Sequence, residues 1–164
     1  MTAAPEPTVP QPTSGVFRGR DHLLPVRVYY EDTDFSGVVY HANYVRYFER
    51  GRSDFLRLAG VSHADLFAGE TPLAFAVTRL EIDFSRAAMI DDALVVRTRF
   101  VAVKGPRFII DQTILRGEAI IAHAAVHVAL VGGGRPRKPT PALVERLQPW
   151  FFQDDSAGAM QPAP

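Results

Sequence analysis

A repeat of apolar residues at helical spacing predicts one long helix over residues 43–59. Its apolar side carries, at intervals of three or four residues, Tyr44, Phe48, Gly51, Phe55 and Leu58. Asn43 is a suitable N-cap and Gly60 a suitable C′ residue. Gly51 lies in the middle of the helix, where glycine costs about 1 kcal/mol relative to alanine. We therefore expect the helix to approach a flat sheet closely at this point.

Runs of β-branched and aromatic residues predict five strands, one before the helix and four after it. They cover residues 25–31, 73–84, 93–103, 107–116 and 119–131. Short turns with glycine separate the last three, which makes them antiparallel neighbours. Because an amphipathic helix needs an apolar face to cover, the pattern predicts an α+β fold in which one curved, five-stranded antiparallel sheet wraps around one helix. Short helices are expected near 63–67 and at 141–147.

Proline and small polar residues mark both ends of the chain. We predict disordered tails at residues 1–21 and 151–164, with one folded domain at 22–150 between them. The first fifteen residues lack the apolar core of a secretory signal. No apolar run approaches the roughly 20 residues that a transmembrane helix needs.

Charge and cysteine content exclude several kinds of site. Lys and Arg number 18, as do Asp and Glu, so the chain is neutral and predicts no nucleic-acid surface. The chain has no cysteine, which excludes a thiolate nucleophile and agrees with a cytoplasmic location. His123 and His127 lie four residues apart but in a predicted strand, without the glutamate of the zinc-protease motif, so we expect no metal site.

Candidate chemistry lies between the first strand and the helix. The acidic turn at 32–37 places Asp34 just ahead of a helix N-terminus, whose N–H groups are unpaired and carry partial positive charge. A carboxylate can act as a general base toward water or as a nucleophile, and the residues leave that choice open. A helix N-terminus can stabilise an oxyanion. Together they suit hydrolysis of an activated acyl group.

The same region resembles the hotdog-fold acyl-CoA thioesterases, in the 4-hydroxybenzoyl-CoA thioesterase-like branch. The resemblance rests on the run Tyr30-Glu31-Asp32-Thr33-Asp34-x-x-Gly37-Val38-Val39-Tyr40-His41-x-x-Tyr44, followed by Glu49-Arg50-x-Arg52. It is strongest to the YbgC-type enzymes associated with the Tol-Pal system. It implies that Asp34 is the catalytic carboxylate and that the backbone N–H of His41 polarises the thioester carbonyl. Motif positions assigned to substrate binding are Tyr30, Thr33, Gly37, Val38, Tyr44 and Glu49.

The resemblance also implies partners and assembly. Acyl-CoA is the expected substrate, with no cofactor other than the CoA it carries, and acyl carrier protein is an alternative donor. A non-catalytic acyl-binding or interaction module of the envelope system is a further alternative. Family members form dimers or tetramers with the site at the subunit interface. For Glu49, an ion pair with a neighbouring arginine is the alternative to a site role.

Local positive charge is expected to meet the phosphates of CoA, because the chain as a whole is neutral. Lys104 and Arg107 flank a Gly-Pro turn and are the first candidates. Arg135, Arg137 and Lys138 share a later proline-bounded loop and are the second group.

Overall fold

One helix lies across one antiparallel sheet in the computed structural model, which describes residues 12–151. Helix α1 spans His41–Leu58, and the shorter helices α2 and α3 span His63–Ala68 and Pro141–Leu147. Within the described residues the sheet has seven strands: β1 (Val16–Arg18), β2 (Asp21–Arg27), β3 (Ala74–Phe84), β4 (Ala93–Lys104), β5 (Arg107–Arg116), β6 (Ala119–Gly132) and β7 (Arg135–Pro136). Their order is β1-β2-β4-β5-β6-β3, and β7 pairs with the end of β6. The predicted α+β arrangement is confirmed, but the sheet has seven strands within the described residues and not the predicted five.

The N-terminal part of the prediction is wrong in two respects. The first long strand is β2, which ends at Arg27, so residues 28–31 leave the sheet and Tyr30–Asp32 form a turn of 3-10 helix. Strand β1 pairs with β2 inside the segment predicted as a disordered tail. Composition concealed this because Phe17, a single ring among small residues, anchors the hairpin by stacking on Trp150 at 3.9 Å between ring centroids. Residues 1–11 and 152–164 of the predicted tails lie outside the described residues.

The close approach predicted at Gly51 is present. A Cβ atom on Gly51 would lie 2.8 Å from both Thr98 Oγ1 and Val96 Cγ1 in β4, closer than real side chains tolerate. This contact lets α1 settle onto the sheet and bury a core rich in aromatic rings, among them Tyr47, Phe48, Phe55, Phe100 and Phe108.

Strand β3 forms one edge of the sheet and pairs with β6 alone. It is eleven residues long and exposes large apolar side chains, with Val77 49% and Phe84 53% accessible. A long, exposed, apolar edge is a liability for an isolated protein because it offers unpaired backbone groups to another chain. No helix within residues 12–151 has the length and apolar character needed to cross a bilayer.

Candidate active site

The loop between β2 and α1 closes on itself around Asp34. Thr33 pairs antiparallel with Val39, the Asp34 N–H donates to the Val38 carbonyl at 3.0 Å, and the Gly37 N–H donates to the Asp34 carbonyl at 3.0 Å. Gly37 has a φ of 83°, a conformation that glycine adopts without a steric cost. Backbone hydrogen bonds therefore fix the position of Asp34 a few residues ahead of the helix.

The Asp34 side chain is half-buried and held by Ser36. Its Oδ1 atom accepts hydrogen bonds from the Ser36 hydroxyl at 2.5 Å and from the Ser36 backbone N–H at 2.8 Å. These two bonds lower the pKa of Asp34 below its usual range, because they stabilise the charged form. Asp34 is consequently an ionised carboxylate at neutral pH. Its Oδ2 atom accepts no hydrogen bond from the residues that the structure describes.

Helix α1 begins at His41, two residues earlier than predicted. Tyr40 is the N-cap residue, and its side chain makes no cap hydrogen bond, so the N-cap prediction for Asn43 is wrong. Instead, the Asn43 Nδ2 atom donates to the Asp32 carbonyl at 2.8 Å, and the Tyr40 N–H donates to the same oxygen at 2.9 Å. As the first residue of α1, His41 has an N–H group without an acceptor inside the helix.

Exposed rings surround this end of α1. The His41 ring lies against Tyr40, with 4.4 Å between ring centroids. Tyr30 is 83% exposed and Phe35 is fully exposed. The Thr33 hydroxyl donates to the Tyr30 carbonyl at 2.9 Å, which braces the turn that precedes Asp34. The loop and the start of α1 thus supply a carboxylate, unpaired N–H groups and exposed aromatic rings.

Val38 and Tyr44 connect the loop to the segment between β3 and β4. Val38 pairs with Met89, and the Ala88 N–H donates to the Tyr44 hydroxyl at 3.0 Å. The Tyr44 ring also meets Phe84 edge-on, with centroids 5.3 Å apart. With only 4% of its surface exposed, Tyr44 holds the two segments together. Its contact with substrate stays a prediction.

Glu49 lies eight residues beyond His41, about 12 Å along the helix axis. Its carboxylate is exposed and accepts a hydrogen bond from the Ser53 hydroxyl at 2.5 Å. The ion pairs within residues 12–151 do not include Glu49, so the predicted alternative of a pair with a neighbouring arginine is not formed there.

The cations predicted to meet CoA lie at the other end of the sheet from Asp34. Lys104 and Arg107 are partners across the β4–β5 turn, and the length of β4, about 36 Å, separates them from the Asp34 loop. The Leu130 N–H donates to the Pro106 carbonyl, and the Leu130 carbonyl accepts from the Arg137 N–H. This brings the second group, Arg135, Arg137 and Lys138, next to the turn. One copy of the chain thus gathers the cations but does not bring them to Asp34.

Sequence reasoning missed the role of Asp32, which is only 6% exposed. Its Oδ2 atom accepts from the Tyr29 N–H at 2.8 Å, while its carbonyl takes the bonds from Tyr40 and Asn43. Burial, with Asp32 beside it, raises the pKa of the Tyr47 hydroxyl. The sequence feature that could have indicated this contact is Asn43, since a short amide side chain in the first turn of a helix commonly forms a hydrogen bond with nearby backbone.

The two histidines weighed for a metal site lie on β6. His123 Nε2 is 2.5 Å from Asp111 Oδ2 on β5, and His127 stands opposite Ile109. Among residues 12–151, no group of three or more His, Cys, Asp or Glu side chains is arranged to hold a metal ion.

Comparison with known proteins identifies the family. The model of the thioesterase-like superfamily matches residues 28–151, which include the Asp34 loop, α1 and the sheet from β3 onward. The chain belongs to this superfamily. The family expected from the motif and the hotdog fold are both confirmed.

Similar proteins share most of the folded region. The acyl-CoA thioesterase YbgC of Haemophilus influenzae is 45% identical over 112 residues, 68% of this chain and 82% of that protein. The crystal structure of a probable thioesterase from Bartonella henselae has a TM-score of 0.71 and 46% identity, covering 73% of this chain and 99% of that one. A thioesterase from Thermus thermophilus, solved with coenzyme A and Zn, has a TM-score of 0.67 and 25% identity, covering 77% and 96%.

Proposed function

We propose that this protein hydrolyses acyl-CoA thioesters to a carboxylic acid and CoA, with Asp34 as the acting carboxylate. The observation that carries the proposal is an ionised Asp34, fixed by Ser36, in a loop that leads directly to the free N–H groups of α1. The Haemophilus relative is named an acyl-CoA thioesterase and the Thermus thioesterase was solved with CoA, which supports this substrate class. The lack of cysteine supports a cytoplasmic location.

Two routes fit this arrangement. In one, Asp34 takes a proton from water as the water attacks the carbonyl carbon. In the other, Asp34 attacks, and water then hydrolyses the mixed anhydride. Both routes develop negative charge on the carbonyl oxygen, where the His41 N–H would stabilise it, and such a donor is typically worth about 2.7–4 kcal/mol. The C–S bond breaks, and the sulfur leaves as the CoA thiolate, which takes up a proton.

A second copy of the chain completes the proposed site. Antiparallel pairing of two β3 edges about a two-fold axis would join the sheets and bury the exposed edge. The Phe84 end of one β3, which contacts Tyr44 near the start of α1, would then lie beside the Ala74 end of the other. The cations at the far end of one copy would move toward Asp34 of its partner.

Thiol release tests the proposal directly. Because the chain contains no cysteine, a thiol reagent reports only the thiol released from the substrate, CoA or the carrier-protein thiol. A panel of short, long and aromatic acyl-CoA thioesters should give turnover, at rates above those for the same acyl groups on acyl carrier protein. The reverse order would favour the carrier-protein alternative. A folded protein that hydrolyses neither donor would be a binding module and not an enzyme.

Sedimentation tests the second copy. We expect dimers or tetramers at micromolar concentration, since a lone β3 edge stays exposed. A stable and fully active monomer would contradict the shared site.

Salt tests CoA recognition. We expect KM for acyl-CoA to rise with ionic strength while kcat holds, because exposed phosphate contacts are screened with a Debye length of about 8 Å at physiological salt. Replacing Lys104 and Arg107 by alanine should mimic high salt, and a short acyl-pantetheine without the nucleotide should respond less. Arg20→Ala, an exposed arginine in the β1–β2 turn, is the control. Equal responses of the full and truncated thioesters would remove these cations from the site.

A further inference from the structure

An interior cavity of about 110 Å³ lies between α1 and the sheet. Its walls are mainly apolar and include Leu56, Phe75, Phe100, Phe108, Ile110 and Val128. The exposed lining residues Glu49, His63 and Val77 mark its mouth, and Val77 belongs to the free β3 edge. Apolar cavities with a few polar groups are typical of small-molecule sites.

The least exposed polar residue that lines this cavity is Arg52, which is only 8% exposed. Its Nη1 atom donates to the Gln112 Oε1 atom at 2.9 Å. The orientation of that amide is fixed, because its Nε2 atom donates to the Phe48 carbonyl at 2.9 Å and to Thr98 Oγ1 at 2.8 Å. The hydrogen-bond partner of Arg52 is thus a neutral amide, whose NH₂ group already donates to two other oxygen atoms.

No carboxylate within residues 12–151 forms an ion pair with Arg52. Burial lowers the pKa of its guanidinium, and the charge of Glu49 offsets that effect only in part. Arginine nevertheless stays protonated in proteins. A buried cation without a counter-ion is costly, and an anion placed beside it removes much of the cost. The planar guanidinium is well suited to a carboxylate.

The second copy decides which thioester can reach this cavity. Arg52 lies eleven residues beyond His41 in the same helix, about 16 Å along the axis, too far for a short acyl tail bound at that helix start. Antiparallel pairing of β3 edges instead places the mouth at Val77 toward the partner's Asp34 loop. A thioester held by one copy would then extend its tail into the other.

We infer that this cavity receives the end of the acyl group and that Arg52 pairs with a carboxylate there, so that the enzyme selects acyl groups with a terminal carboxylate. The inference rests on the proposed thioesterase function and on the shared site. It adds a substrate class to that function and assigns Arg52 as the residue that determines specificity.

A matched pair of substrates tests the inference. Glutaryl-CoA and pentanoyl-CoA carry the same number of acyl carbons and differ only in the terminal group. We expect the parent protein to favour glutaryl-CoA by at least tenfold in kcat/KM. Arg52→Met, which keeps an unbranched apolar stem and removes the charge, should reduce that ratio at least tenfold, whereas Arg52→Lys should keep part of it. Arg46→Met, on the exposed side of the same helix, should leave it unchanged.

Binding of the free acids separates this inference from the proposed function. Glutarate should raise the melting temperature of the parent protein more than pentanoate does, and Arg52→Met should abolish the difference. A protein that binds glutarate in this way but hydrolyses no thioester would overturn the proposed function alone. If the parent protein has the same kcat/KM for pentanoyl-CoA and for glutaryl-CoA, the inference is overturned, whether or not Arg52→Met folds. If Arg52→Met no longer forms the oligomer, and the parent protein hydrolyses glutaryl-CoA and pentanoyl-CoA at equal rates, Arg52 would be an interface residue and the inference would be overturned.

Discussion

An aspartate and a histidine occur toward each end of α1, in opposite surroundings. At the N-terminal end, Asp34 and His41 lie in contact with solvent. Toward the C-terminal end, His22 Nε2 is 2.9 Å from Asp54 Oδ2, with His22 fully buried and Asp54 3% exposed. Among the described residues, only the second pair is joined by a hydrogen bond. Its histidine is nevertheless sealed from solvent, since Phe17 packs on His22, with 5.4 Å between ring centroids.

The difference lies in how many donors each carboxylate has already accepted. Asp54 accepts from the Gly15 N–H at 2.7 Å and from Arg57 Nη1 at 2.6 Å, in addition to the Ser14 hydroxyl and His22. Asp34 accepts from a single residue, Ser36. A carboxylate whose oxygens are both engaged holds structure together, whereas one with a free oxygen near unpaired helix N–H groups can act on a ligand.

The two carboxylates also reach the ionised state by different means. Burial acts to raise the pKa of Asp54, but the hydrogen bonds from Gly15 and His22 outweigh it and leave that pKa lowered. For Asp34, the bonds from Ser36 lower the pKa with little burial to oppose them. The lowered pKa of Asp54 depends on residues that only the folded chain brings together. The lowered pKa of Asp34 depends on hydrogen bonds within a single turn.

Replacing each aspartate by asparagine should affect activity at one end of α1 and not at the other. Asp34→Asn removes both basicity and nucleophilicity with almost no change in shape, so thioester hydrolysis should fall by about 10²-fold or more. The melting temperature should hardly change, because Asp34 makes contact only with its own turn. Asp54→Asn should retain activity at a temperature where it is folded. An Asp34→Asn protein with more than about a tenth of the parent rate would remove Asp34 from its assigned role.

In stability, the same two variants should rank in the opposite way, with Asp54→Asn losing more than Asp34→Asn. Asp54→Asn weakens a cluster of buried, charge-assisted hydrogen bonds, and we expect a loss of about 3 kcal/mol in the free energy of unfolding. Urea denaturation at one fixed protein concentration measures this loss. An Asp54→Asn protein as stable as the parent would show that the four donors find water or other acceptors at no cost.

Periodicity and turn chemistry predicted α1 and the strands after it, because the apolar faces there repeat without interruption. The predicted start of α1 was two residues too late. The N-cap residue, Tyr40, makes no side-chain cap hydrogen bond, so its residue type does not indicate a cap, whereas Asn43 is a residue type common at that position. The proposed site was predicted through Asp34, whose motif is continuous in sequence, and the role of Asp34 stays a prediction. The cluster of Ser14, His22 and Asp54 was not found, because its members meet only through the fold.

Shortening the N-terminus sharpens the comparison further, since Ser14 and Gly15 serve only the sealed end. Removal of residues 2–11 should leave melting and hydrolysis nearly unchanged, as the proline-rich composition predicts. Removal of residues 2–16 deletes two of the four donors to Asp54, Ser14 and Gly15, and we expect a loss of about 2 kcal/mol in the free energy of unfolding. Equal stability of the two shortened proteins would show that Ser14 and Gly15 contribute nothing to the stability of the His22 cluster.

The smallest effect should be the pH dependence of the sealed end. Burial lowers the pKa of His22 from its usual 6.5, and although the hydrogen bond and charge of Asp54 oppose this, the net shift is downward. Between the lowered pKa and pH 6.5, the unfolded chain therefore binds a proton at His22 that the folded chain does not.

His22 should accordingly contribute fully to stability above about pH 6.5, and that contribution should fall as the pH drops toward the lowered pKa, by at most about 1.4 kcal/mol per pH unit. Urea unfolding of the parent should show lower stability at pH 5.5 than at 7.5. His22→Gln should be less stable at both pH values but should show a smaller difference between them. Hydrolysis by the folded parent should not follow this change, because Asp34 stays ionised throughout the range. An unchanged pH difference in His22→Gln would assign the effect to another group.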